Sequence, residues 1–276
     1  LWLYMLPVRL NATSLQNGTR DPGFVLLHAA WVAKALPDSY PLQAGGTANG
    51  TAVRQQLTAD VQTWVRNYWR RLQIKGTGTA KDGAWVWGAD IWVGIQQPFH
   101  VGLLLEGLIA VHRLTGQQAA RDAILASVTN LYTACFDTRS VTVHSALSNG
   151  NPAIKSRWMA YFCFGGNGSN SRAYEEWPGG GVDLSSGWPN GVKEVRELNS
   201  TIMHAYGYAY KISGDPKFKT WGDDVFSASF GNTQGPGADG LTDLAYLIGT
   251  DGSNAKSYNQ NYRAAGRYLV WRVGRK

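Results

Sequence analysis

The stretch "YKISGDPKFKTWGDDVF", residues 210–226, decides the fold. An apolar, aromatic run ends at Ile212, the turn residues Ser213, Gly214, Asp215 and Pro216 follow, and a second amphipathic run begins at once. Gly supplies the left-handed conformation that closes a helix, and Pro is tolerated in the first turn of the next. A link this short joins antiparallel neighbours, so the stretch predicts a helical hairpin whose first helix runs back through "LNSTIMHAYGYAYK". The same grammar occurs earlier. "FHVGLLLEGLIAVHRLTG", 99–116, is apolar almost all round, as a helix buried on most sides must be. It turns at Thr115-Gly116 into "QQAARDAILASVTNLYTACFD". Leu114-Thr115-Gly116 aligns with Ile212-Ser213-Gly214 at a spacing of 98 residues.

Working outward, "DPGFVLLHAAWVAKALP", 21–37, opens with an Asp cap and a first-turn Pro and reads as a helix. In "TAVRQQLTADVQTWVRNYWRRLQIKG", 51–76, Val53, Leu57, Val61, Trp64, Val65, Tyr68 and Leu72 recur at three and four residues, predicting a helix stopped by Gly76. "DGLTDLAYLIG" and "AKSYNQNYRAAGRYLVWRV" form a final pair. Hairpins repeated along a chain, with long Gly- and Trp-rich loops at one end, argue for a mainly α fold arranged as a curved or toroidal array. The expected organisation is an extended segment at 1–20, then a helical domain at 21–276 with a loop-rich insertion at 137–190. An irregular stretch of that length inside a domain is a functional loop or a linker.

Composition narrows the setting. In 276 residues the apolar share of 44% suffices for a sizeable core. Only 16% are charged, against 33 glycines and 12 tryptophans, so solvation rests on neutral polar residues, as suits a secreted or surface protein. Asn11, Asn17, Asn49, Asn167 and Asn199 open glycosylation sequons, or are simply solvated loop residues. Cys135 and Cys163 are either a disulfide of an oxidising compartment or two buried thiols. The net charge of +7 favours an anionic partner. Basic residues are dispersed, with "RNYWRR" at 66–71 the densest run, so no phosphate-tracking stripe for nucleic acid is evident, and an acidic polysaccharide or cell-envelope polymer fits equally well. "LWLYMLPVRL" lacks a basic n-region and is broken by Pro7 and Arg9, so it is neither a signal peptide nor a membrane span. No metal-ligand spacing, phosphate loop, nucleophile elbow or dinucleotide fingerprint occurs, so neither metal nor cofactor is expected.

The 210–226 hairpin, an aromatic helix followed by a T/S-G-D-x-x-F/Y turn and an amphipathic helix, resembles the hairpins of the (α/α)-toroid carbohydrate-active enzymes, the polysaccharide lyases and six-hairpin glycoside hydrolases. The resemblance spans roughly 94–136 and 197–230, and more weakly the last helix. About four hairpins can be counted, fewer than a full toroid of that type contains, which suggests an incomplete toroid or a truncated chain. No complete catalytic signature is matched, so the resemblance assigns no catalytic residue.

Sugar recognition needs flat aromatic faces with amides and charges around them. "GAWVWGADIWVGIQQPFH", 83–100, supplies Trp85, Trp87 and Trp92 with Asp90, Gln96, Gln97 and His100; these tryptophans either meet a ligand or pack beneath the loop. "YEEWPGGGVDLSSGWPNG" sets Glu175, Glu176 and Asp183 beside Trp177 and Trp188, and two carboxylates about 5 to 10 Å apart are what glycoside hydrolysis requires. A lyase instead needs a base, Tyr or His, and a group that neutralises the uronate carboxylate. His204 and Tyr208, four apart on one helix, with Arg196 or Asn199 nearby, have that chemistry, although packing between helices satisfies them equally. Glu106, a carboxylate among leucines, must meet an Arg or a helix N-terminus, or carry a raised pKa. The expectation is a secreted protein that binds, and cleaves, a polysaccharide. The alternative is a non-catalytic surface protein that self-assembles through its Trp- and Gly-rich segments.

Overall fold

The computed structural model describes residues 20–42, 44–69, 72–79, 81–86, 96–142, 155–159, 163, 196–230 and 255–273; for 68–69, 137–142, 155–159, 196–200, 227–230 and 255–262 it gives the backbone path alone. The protein is mainly α, with seven helices among the described residues: α1 Arg20–Ala35, α2 Gly50–Trp64, α3 Pro98–Thr115, α4 Gln118–Cys135, α5 Arg196–Ser213, α6 Pro216–Phe230 and α7 Ala255–Trp271. Four short strands join them, β1 Ser39–Pro41, β2 Thr47–Asn49, β3 Phe136–Thr142 and β4 Lys155–Met159.

The two repeated hairpins share their turn chemistry atom for atom. Gly116 and Gly214 take φ of 66° and 75°, and their N–H groups donate to the His112 and Tyr210 carbonyls, each at 2.8 Å. Thr115 and Ser213 each donate a hydroxyl to the carbonyl four residues back and accept the backbone N–H two residues on. These contacts satisfy the carbonyls and amides that helix ends leave open.

The helices form two layers. Odd-numbered helices pack side by side in chain order, α1 on α3, α3 on α5, α5 on α7. They run parallel: Gly23 lies against Leu103 and Leu104 while Leu26 meets Gly107, Gly102 faces Thr201 and Ile202, and Gly207 meets Tyr268 and Trp271. The approach of α1 to α3 depends on Gly23, whose added Cβ would stand 2.5 Å from the Leu103 carbonyl oxygen. Even-numbered helices lie on top. Gln117, capping α4, donates to the Gln62 carbonyl of α2, and Tyr132 of α4 stacks on Trp221 of α6 at 4.6 Å and donates to Asp224. Asp223 of α6 holds Arg272 and Tyr268 near the end of α7.

Three sequence expectations change. The 51–76 helix is regular only to Trp64, continues as a π-helical turn at Val65–Trp69, and gives way to an isolated bridge between Gln73 and Trp85. The pull comes from the buried Gln73 amide, which donates to Gly83, Ala123 and Ser127. The stretch "LQAGGTANG", 42–50, whose glycines read as an irregular loop, holds one strand, β2, of the antiparallel β1–β2 pair. Within the expected irregular insertion, β3 and β4 pair antiparallel from Phe136↔Met159 to Thr142↔Lys155. The first segment, "DGLTDLAYLIG" and most of the insertion lie outside the described residues.

This order puts the connections at opposite ends. Inner helices pass to outer ones through 36–49, 116–117 and 214–215. Outer helices return through 70–97, 136–195 and 231–254, all arriving at the N-terminal ends of α3, α5 and α7.

Candidate functional site

Of the first tryptophan loop, Trp85 is described, and it is a core residue with 0% exposure. Its indole N–H donates to Ser127 Oγ at 2.7 Å and its backbone N–H to Gln96 Oε1 at 2.7 Å. Gln96 in turn donates its amide to Asn130 and Cys135 Sγ, and exchanges both backbone hydrogen bonds with Cys163 at 2.8 Å. Cys135 and Cys163 form a disulfide. The result is a polar seam, closed on itself, that fastens the loop to α4, so the proposed stacking role of Trp85 is corrected: neither ring face is available. Gln97 and His100 are also buried, at the start of α3. Trp87, Asp90, Trp92, Glu175, Glu176, Trp177, Asp183 and Trp188 lie outside the described residues, as do Asn11, Asn17 and Asn167. Asn49 is exposed and caps α2, its side-chain oxygen accepting the Ala52 N–H at 3.0 Å. Asn199 falls in the first turns of α5, where the backbone alone is described.

His204 and Tyr208 of α5 do not form the acid–base pair that their spacing suggested. His204 has 0% exposure and neither ring nitrogen completes a hydrogen bond. Burial first, then the charges of Arg267 and Arg263, hold its pKa down at about 3, against a weak opposing pull from the Thr201 backbone. It is neutral at physiological pH and sealed from a polymer, which leaves it no part in taking a sugar proton. Tyr208 turns the other way. Its hydroxyl meets His112 Nδ1 at 2.8 Å, its ring packs edge-on to Trp271, and burial pushes its pKa up to about 12 although Arg113 pulls it down. The His112 pKa is itself lowered, by burial and then by the charge of Arg121.

Glu106 resolves into an ion-paired group. It is the ninth residue of α3, and across the inner layer Arg263 Nη2 lies 2.9 Å from its Oε1 and Arg267 Nη1 lies 3.4 Å from its Oε2. Both arginines come from α7 and are part-exposed, whereas the carboxylate is buried. A buried carboxylate needs such partners, which is what the sequence implied without saying where they lay. Arg263, Arg267, His112, Gln73 and Ser127 are the site residues that sequence reasoning missed.

The layer of α1, α3, α5 and α7 thus carries a part-exposed guanidinium pair against a buried carboxylate, and the N-terminal ends of α3, α5 and α7 each follow a long connection. Those N-termini carry partial positive charge and attract anions. Among the described residues no helix is long and apolar enough to cross a membrane, and no group of His, Cys, Asp and Glu is arranged to hold a metal ion. Comparison with protein-family models, with curated proteins and with solved structures finds no match to this chain.

Proposed function

We propose that this protein is an extracellular polysaccharide-binding protein of the (α/α)-toroid kind, with its ligand lying across the end of the array where the long connections enter. The observation that carries the reading is the element order, in which each of the connections 70–97, 136–195 and 231–254 leads into the N-terminal end of one of the parallel helices α3, α5 and α7. Loops raised on a rigid scaffold are where binding groups collect. Trp87, Trp92, Trp177 and Trp188 all belong to these connections, as do Glu175, Glu176 and Asp183. The net charge of +7 supports an acidic polymer, and the Cys135–Cys163 disulfide supports an oxidising compartment. Cleavage, by β-elimination of an acidic chain or hydrolysis of a neutral one, is assigned to the loop residues, since His204 and Tyr208 are committed to the core. The test is gel affinity electrophoresis against acidic and neutral polysaccharides, with ultraviolet absorbance for unsaturated uronate ends and a reducing-end assay. Retardation by an acidic polymer, lost in Trp87→Ala or Trp177→Ala, is the expected result. Unretarded migration in every gel refutes the reading.

A second reading, assembly of copies of this chain, is favoured by the edges of the inner layer. The C-terminal end of α7 exposes Leu269 and Val270, to 49% and 66%, and the turn after it exposes Val273 to 65%. At the opposite edge α1 exposes Trp31 and Val32. Exposed apolar residues on the first and last helices of a layer suit continuation by another copy. Light scattering decides it: an oligomer that Val270→Asp dissociates supports assembly, and a monomer at high concentration rejects it.

A further inference from the structure

The Glu106 cluster is unbalanced. Arg263 and Arg267 stand four apart on α7, on one helix face, where like charges repel. Arginine stays protonated in proteins, so the pair carries two positive charges against the single carboxylate of Glu106. Among the described residues Glu106 is the only acid ion-paired to either arginine. His204 is wholly buried, and burial, then the charges of Arg267 and Arg263, hold its pKa down at about 3, so it adds no charge to the cluster.

The donors are also incompletely used. Arg263 Nε is buried without a partner, and Arg267 Nη1, at 3.4 Å from Glu106 Oε2, lies beyond ordinary hydrogen-bond length. Yet the guanidinium groups are not sealed in, with side-chain exposures of 37% and 28%. Glu106 therefore holds the Arg263 fork by a hydrogen bond and stands close to the Arg267 fork, and among the described residues the part-exposed pair carries one positive charge more than it meets. A guanidinium fork matches the planar geometry of an oxyanion in two parallel hydrogen bonds.

We infer that Arg263 and Arg267, oriented by Glu106, form a binding site for one oxyanion group, the carboxylate or sulfate ester of an acidic sugar. The arginines make the contacts and Glu106 is a positioning residue. This deepens the polysaccharide reading and rests on it for the identity of the sugar, but the anion site itself does not.

The test is titration calorimetry of the full chain with three probes, glucuronate, inorganic sulfate and neutral glucose. The wild type is expected to bind at least one of the two anions and not glucose, and the tighter anion names the group recognised. Arg267→Gln weakens that binding by roughly tenfold or more, since a charge-assisted pair is lost. Glu106→Gln also weakens it, by roughly threefold or more with the fold kept, because the guanidinium groups lose the carboxylate that orients them, and Glu106→Asp recovers part of the loss, which a purely structural salt bridge does not predict. Circular dichroism establishes that each variant is folded, and should Arg263→Gln unfold, Arg267→Gln and the wild type decide. The inference is overturned if the wild type binds neither anion, or if folded Arg267→Gln binds them as the wild type does. Anion binding without retention by any polysaccharide sinks the function proposed above and leaves this site standing. Polysaccharide retention unchanged in Arg267→Gln does the reverse.

Discussion

Replacing Trp85 separates a core role from a ligand role, because the two predict opposite phenotypes. The side chain is wholly buried, and truncating a buried Trp to Ala costs about 3 to 5 kcal/mol through lost contacts and the cavity left behind. The hydrogen-bond share is small. Ser127 Oγ still accepts from Gln73 Nε2 and donates to the Ala123 carbonyl once the indole N–H is gone, so no acceptor is orphaned and the loss is about 1 kcal/mol. Trp85→Phe, which keeps most of the ring volume, is therefore expected to cost about 2 kcal/mol and Trp85→Ala about 4. Urea unfolding followed by circular dichroism measures both, with the midpoint moving and the slope held. A cycle with Ser127→Ala isolates the indole bond, with an expected coupling of about 1 kcal/mol. The reasoning is refuted if Trp85→Ala unfolds at the wild-type midpoint, above all if polysaccharide binding disappears at the same time.

Three further outcomes follow from the packing. Removing the disulfide by Cys135→Ser with Cys163→Ser opens a loop of 28 residues and should lower stability by roughly 3.5 kcal/mol, read as an earlier urea midpoint that a reducing agent also produces in the wild type. Desolvation raises the Asp223 carboxyl, but hydrogen bonds from Arg272, Tyr268 and Lys219 outweigh it and bring the pKa down from 3.8 to about 2. A folded pKa below the unfolded one gives stability above pH 4 that is lost as pH falls towards 2; screening at this part-exposed site limits it to about 1 kcal/mol, and Asp223→Asn should flatten that acid limb. Gly23→Ala must part α1 from α3, since the new Cβ would stand 2.5 Å from the Leu103 oxygen; a loss of about 2 to 3 kcal/mol in thermal or urea unfolding is expected.

What the sequence made legible is what local chemistry controls. The turns at Thr115-Gly116 and Ser213-Gly214 announce themselves because a hydroxyl, a glycine and a following cap do their work within five residues, and the structure repeats them bond for bond. The helices that flank them were readable for the same reason, their apolar faces recurring every three or four residues. The strands β3 and β4 were not, since each is defined by a partner on the far side of a 12-residue gap rather than by its own pattern. The early end of α2 was hidden by apolar spacing that runs on to Leu72, while a tertiary demand, the burial of the Gln73 amide against α4, bends the chain away.

The site shows the same division at longer range. Glu106 declared its need for a cation, but the arginine that meets it is 157 residues away, and no local pattern marks Arg263 or Arg267 among the other basic residues of the chain's last helix. His204 and Tyr208 share a face by spacing, yet His204 is sealed in the core while the Tyr208 hydroxyl reaches His112 of α3 and its ring meets Trp271 of α7, because α5 lies between α3 and α7. A central helix of a layer is where i, i+4 pairs most easily deceive: spacing places two residues on one stripe, but which neighbour each reaches depends on the crossing of helices far apart in sequence. The connection lengths escape this ambiguity. Short links from odd- to even-numbered helices and long links back follow from element order alone, and each long link leads into the N-terminal end of α3, α5 or α7, where the helix dipole presents partial positive charge.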